Sequence, residues 1–143
     1  MRRFEFRYET LRSHRARLEE EQAALLAHLQ GEAAAVKGEI AALDGRIREA
    51  TAERNRHTRA GDLAAARLAQ DYLHALAARR EEQVARLESL SEALREARDA
   101  YLAARRDHRA VEILRQRDWE AHRLEALREE QKELDEIAGR RHG

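Results

Sequence analysis

From Leu73 to Val111, residues Leu73, Leu76, Leu87, Leu90, Leu94, Ala97, Tyr101, Ala104 and Val111 fall at alternating steps of three and four, with Arg80, Gln83 and His108 filling the same rhythm. That spacing is the a/d stripe of a helix that packs along another helix. A second run, Leu124, Leu127, Gln131, Leu134 and Ala138, keeps the spacing but is displaced by one residue. The slip falls within ILRQRDWEAHR, where a change of winding or of partner is expected. The first half is less regular. Leu11, Leu18 and Leu25 recur every seven, and Val36, Ile40, Leu43, Ile47 and Ala50 then alternate by three and four after a phase shift near Glu32.

Between the halves lies HTRAGDLAAARL. Gly61 can take the left-handed conformation that ends a helix, and Asp62 can accept from the free N–H groups that open the next. The pattern predicts an all-α fold, a long antiparallel two-helix coiled-coil hairpin with an overhanging C-terminal helix end. One coiled-coil domain spans 1–143, with helix 1 over about 5–58, a turn at about 59–61 and helix 2 over about 62–138. A single unbroken rod that dimerises is the alternative. A reversal near residue 60 pairs position i with about 120 minus i, which sets Phe4 near Gln116. At 1.5 Å per residue, helix 2 is about 115 Å long and overhangs helix 1 by roughly 30 Å.

Composition supports long helices. The chain of 143 residues is 39% charged and 4% aromatic, with no Pro and no Cys. Proline costs about 3 kcal/mol inside a helix, so its absence leaves long helices possible. No disulfide framework or thiolate site can form, and no stretch approaches the roughly 20 apolar residues of a membrane span. The N-terminal MRRFEFRYET has no hydrophobic secretion signal, so a soluble protein inside the cell is expected. The 28 basic and 28 acidic residues cancel, which argues against nucleic acid as a partner. No Gly-rich phosphate loop is present, and no two of the His residues stand three or four apart. The residues therefore point to no catalysis, no metal, no cofactor and no small-molecule substrate. His108 reads as a polar or pH-sensitive seam position. Gly31, Gly38 and Gly45 recur once per heptad on the outward f position, where they could form a smooth strip, loosen the helix or be tolerated drift.

The ordered ends carry a family signal. Phe4, Phe6, Tyr8, Leu11 and Arg12 open the chain, Tyr72, Leu73 and Leu76 form a central Tyr-Leu-x-x-Leu, and Glu130 to Ala138 close it with Glu-Gln-Lys-x-Leu-Asp-Glu-Ile-Ala. Over nearly its whole length the chain resembles the flagellar export protein FliJ and its relatives in type III secretion. The resemblance implies a non-enzymatic stalk, similar to the rotor stalk of rotary ATPases. Such a stalk enters the hexameric export ATPase (FliI-like), promotes ring assembly, contacts the export-gate protein (FlhA-like) and escorts export chaperones. It also implies a role in flagellum biogenesis, motility and chemotaxis, and a place in the cytoplasm, peripheral to the inner face of the cell membrane at the flagellar base.

The overhang then acquires a partner. Leu124, Leu127, Leu134 and Ile137 are expected to make apolar contacts with the ring, with Asp135, Glu136, Arg140 and Arg141 as charged contacts, because unpaired seam residues otherwise leave apolar surface in water. By the resemblance, Tyr72, Leu76 and Gln83 are candidates for the export gate, although Leu76 fits core packing equally well. Trp119 is expected to anchor the start of the overhang or to pack beside Phe4 and Phe6. Two other classes of reading stand beside this one. A generic coiled-coil scaffold, or the stalk of another rotary ATPase or virulence secretion system, predicts a different ring or self-association through the overhang. A membrane-surface or nucleic-acid binder, using the basic end formed where the two chain termini lie together, predicts salt-sensitive binding to anionic lipid or DNA.

Overall fold

The computed structural model describes residues 2–142. Two helices, α1 (Glu9–Arg59) and α2 (Leu63–His142), pack against each other as an antiparallel hairpin. The reversal is built from two caps in direct succession. Gly61 takes φ 79°; its N–H donates to the Thr58 carbonyl at 3.2 Å, and the Asp62 N–H reaches back to the His57 carbonyl at 3.0 Å. This pair of bonds satisfies carbonyls that the end of α1 would otherwise leave free. Asp62 then opens α2, its Oδ1 accepting from the Ala65 N–H at 3.1 Å.

Residues Ala24–Asp99 form one compact unit; the segments up to Ala23 and from Ala100 form the other. In the first, Ala33, Val36, Leu43 and Ala50 of α1 are buried, as are Ala66, Leu73, Leu76, Leu90 and Ala97 of α2. Leu43, Ala50, Leu73 and Leu76 form its core cluster, with Ile47 packed against them. Many of these side chains are only methyl groups, so the seam is narrow. Polar pairs flank it: Arg80 Nε donates to Asp44 Oδ1 at 2.6 Å, Arg79 Nη2 to Glu39 Oε1 at 3.3 Å, and Arg54 Nη1 to Gln70 Oε1 at 2.8 Å.

The expected phase shift near Glu32 is absent. Leu26, Leu29, Ala33, Val36 and Ile40 carry the covered face in unbroken three-four steps, and Leu25 is exposed. With leucines at 18, 25, 26 and 29, the sequence offers two overlapping stripes. The one that continues in phase into Val36 and Leu43 is the one that packs.

In the terminal unit, Phe6, Ala104 and Val111 are the buried apolar residues. Here α1 begins at Glu9, later than the sequence suggested. Arg2–Phe6 has no regular structure and leads into a turn at Arg7 and Tyr8. Phe4, Phe6 and Tyr8 alternate with Arg3, Glu5 and Arg7, a period-two pattern that suits extended chain better than helix. Extended residues advance about 3.3 Å each against 1.5 Å in a helix, so the segment reaches further along α2 than helical pairing allows. Phe4 therefore lies against His122, ring centroids 5.5 Å apart, instead of near Gln116.

Candidate functional site

Ahead of the first turn of α1, the N-terminal segment closes the seam. The His122 Nε2 position is 3.1 Å from the Arg2 carbonyl, and the Arg115 guanidinium sits 5.8 Å above the Phe4 ring. Trp119, expected beside Phe4 and Phe6, is 38% exposed and carries the Arg123 guanidinium over its ring at 5.7 Å. Through ILRQRDWEAHR α2 runs without a break. Half-buried positions continue through Arg115, Asp118 and His122, which are polar, while the apolar residues move to the other side of the helix.

From Leu127 to His142 every residue of α2 is exposed. The uncovered end therefore starts about ten residues later than the sequence register placed it, because the extended N-terminal segment covers α2 as far as Ala126. It has two unlike faces. Glu125, Glu129 and Glu133 follow one another at i,i+4 on the side that Arg2 reaches. On another side Leu124, Leu127 and Leu134 stand 56%, 50% and 55% exposed, and Ile137, 51% exposed, follows Glu133 at i,i+4 between the two faces. Asp135, Glu136, Arg140 and Arg141 are likewise exposed around them. The structure thus brings the expected apolar ring-contact residues together on one open stretch of helix. The glutamate column was not singled out in the sequence, although Glu-x-x-x-Glu-x-x-x-Glu was its available signal; Phe4 was, but beside Gln116 and Trp119, and its partners are His122 and Arg115.

Below the seal, polar side chains bridge the helices. Arg12 Nε donates to Glu112 Oε1 at 2.5 Å and Nη1 to Glu9 Oε1 at 2.9 Å. His108 is half-buried on the seam, its Nδ1 2.5 Å from Glu19 Oε2 and its Nε2 3.2 Å from Glu112 Oε1. The bonds to Glu112 and then Glu9 raise the Arg12 guanidinium above its ordinary value. Burial pushes the Glu112 carboxyl up, but the bond and charge of Arg12, followed by the bond to His108, outweigh it and hold the carboxyl below the usual range. The cluster ties α1 to α2 at this level of the hairpin.

The central candidates separate by burial. Tyr72 is 51% exposed, whereas Leu76 is 5% exposed within the core cluster. Gln83 is half-buried, and its side-chain carbonyl oxygen is enclosed without a hydrogen-bond partner. Only Tyr72 of the three offers substantial free surface. Gly31 and Gly38 meet nothing where a Cβ would stand, and Gly45 meets only the Arg48 guanidinium at 3.8 Å.

No helix among the described residues is long and apolar enough to cross a membrane, and no cluster of three or more His, Cys, Asp or Glu among them could hold a metal ion. The model of the flagellar FliJ protein family matches residues 4–143. No curated protein matches, and no solved structure does. A two-helix hairpin with an open apolar helix end, matched to that family model over nearly the whole chain, belongs to the FliJ family of non-enzymatic flagellar export-apparatus components.

Proposed function

We propose that the protein is the stalk of the flagellar export ATPase complex. The open end of α2 enters the hexameric ring, with Leu124, Leu127, Leu134 and Ile137 on apolar ring surface and Asp135 and Glu136 on basic groups around it. It promotes ring assembly and couples the ring to the export gate, which Tyr72 contacts from a position held by buried Leu76 and half-buried Gln83. Export chaperones are further partners, and the site of action is the cytoplasmic face of the membrane at the flagellar base. Family membership supports the apparatus. The observation that carries the ring contact is the exposure of Leu124, Leu127, Leu134 and Ile137, each of which keeps half or more of its surface.

The deciding experiment compares ring assembly and ATPase rate of the cognate export ATPase with the full chain and with a version ending at Glu120. Stimulation by the full chain and its loss on truncation are expected. Equal stimulation by both would remove the ring contact from the overhang.

A further inference from the structure

We propose that the uncovered face of α2 is a homodimer interface, in which two copies pair antiparallel with Ile113 of each chain opposite Leu124 of the other. The apolar stripe that leaves the seam does not begin at Leu124. Counting back from it in steps of three and four gives Glu120, Arg117, Ile113, Ala110, Arg106 and Ala103, an unbroken second a/d rhythm on the side of α2 turned away from α1. Except for half-buried Ala103, these positions are exposed, and Ile113 keeps 49% of its surface. A helix that carries two such stripes has a place for two helical neighbours, and α1 occupies one.

The second stripe is complementary to itself in one register. In an antiparallel coil each a position meets a d position of the other helix. With Ile113 opposite the second copy's Leu124, the neighbouring layers set Ala110 against Leu127 and Ala103 against Leu134, each twice by symmetry. The central layers set Arg117 against Glu120, again twice, and Arg106 meets Gln131. The flanking positions agree without further choice. Arg109 faces Glu130, Asp107 faces Arg128, Leu102 faces Ile137, and Leu114 faces Ala121. An apolar groove lined by Tyr8, Leu11 and Leu114 lies beside that edge.

The alternatives are charge-mismatched. A shift of one heptad in one direction sets Arg109 against Arg123, and in the other it sets Asp107 against Asp135. Parallel pairing in register opposes Arg106, Arg117 and Glu120 each to itself. Like charges held together at an interface suppress such arrangements, so the charges select the antiparallel register as well as permitting it. The dimer is independent of the ring contact and stands if that contact fails. Where both hold, Leu124, Leu127 and Leu134 serve one partner at a time, and the ring competes with the second copy.

The test uses the full chain. Sedimentation equilibrium over a range of concentrations should show a monomer–dimer equilibrium. Arg117→Glu and Glu120→Arg should each weaken it about a hundredfold or more, since each places two like-charge pairs at the centre, and the double reversal should restore it. All of these residues are exposed, so helix content by circular dichroism should not change. Because the chain has no cysteine, an equimolar mixture of Ile113→Cys and Leu124→Cys chains should oxidise to a disulfide-linked pair that neither forms alone. A monomer at every concentration, no rescue by the double reversal, or cross-linking of Leu124→Cys chains to themselves as readily as in the mixture would overturn the proposal.

Discussion

Within Ala24–Asp99 the three-four stripe of α2 meets a matching stripe on α1, and Leu43 is 1% exposed. From Leu124 onward the same spacing meets no second helix, and Leu124, Leu127 and Leu134 keep half of their surface. The two regions share periodicity and residue types, yet one is core and the other is surface. Heptad spacing therefore specifies a helix that can be covered, and only the presence of another helix makes it a core. The difference separates residues that hold the protein together from residues left free to bind.

The sharpest way to break this contrast is to truncate one leucine in each region. Leu43→Ala should cost about 2–5 kcal/mol, since it removes a fully packed side chain from a narrow seam. Urea unfolding followed by circular dichroism would read it. Leu134→Ala should change the same midpoint by only about 0.5 kcal/mol while lowering stimulation of the export ATPase. A large stability loss at Leu134, at concentrations where the chain is monomeric, would mean that the helix end is covered within the chain after all.

Next in size is the turn that makes the pairing possible. Gly61→Ala should destabilise by about 1–2 kcal/mol, because a side chain at φ 79° crowds the backbone even with no neighbour nearby. Gly38→Ala should have the opposite sign and stabilise by about 1 kcal/mol, as its position is helical and open. Thermal melting of the two variants side by side would check both signs. A Gly38→Ala chain that gains stability but loses stimulation of the ATPase would show that a partner approaches the outward glycine strip closely.

The smallest effect concerns the polar bridge in the terminal unit. Glu112 is held below the ordinary carboxylate range, so its contribution is present above the unfolded value of about 4.3 and disappears as pH falls through the lower folded value. Glu112→Gln should therefore be less stable than the parent at neutral pH, with the difference closing on acidification below the usual carboxylate range. A difference that stays constant with pH would show that the carboxylate charge contributes nothing to the bridge. Arg12, raised instead, stays charged throughout this window and adds no slope of its own.

Much of this was legible beforehand, for identifiable reasons. Gly61 and Asp62 act through the backbone immediately beside them, so the reversal could be read locally. The stripe from Leu73 to Val111 was readable because no second set of leucines competes with it in the same phase. In α1, Leu25 and Leu26 both continue a seven-residue spacing, and only contact with α2 selects Leu26. Alternation of Phe4, Phe6 and Tyr8 was present in the sequence, but an isolated extended segment needs a surface to lie on, and α2 supplies it at His122 and Arg115.

By itself, the sequence determined that the chain is helical, where it turns back, and that its last third carries an apolar stripe out of phase with the first. These properties follow from propensity, capping and spacing, which act over a few residues. Tertiary structure decided which of two stripes on α1 is the seam, how far the N-terminal segment covers α2, and that Leu76 is buried while Tyr72 and Leu124 are free. Those outcomes depend on which surfaces meet after the chain has reversed, and a helix that has not yet met its partner contains no information about which of its faces will be covered.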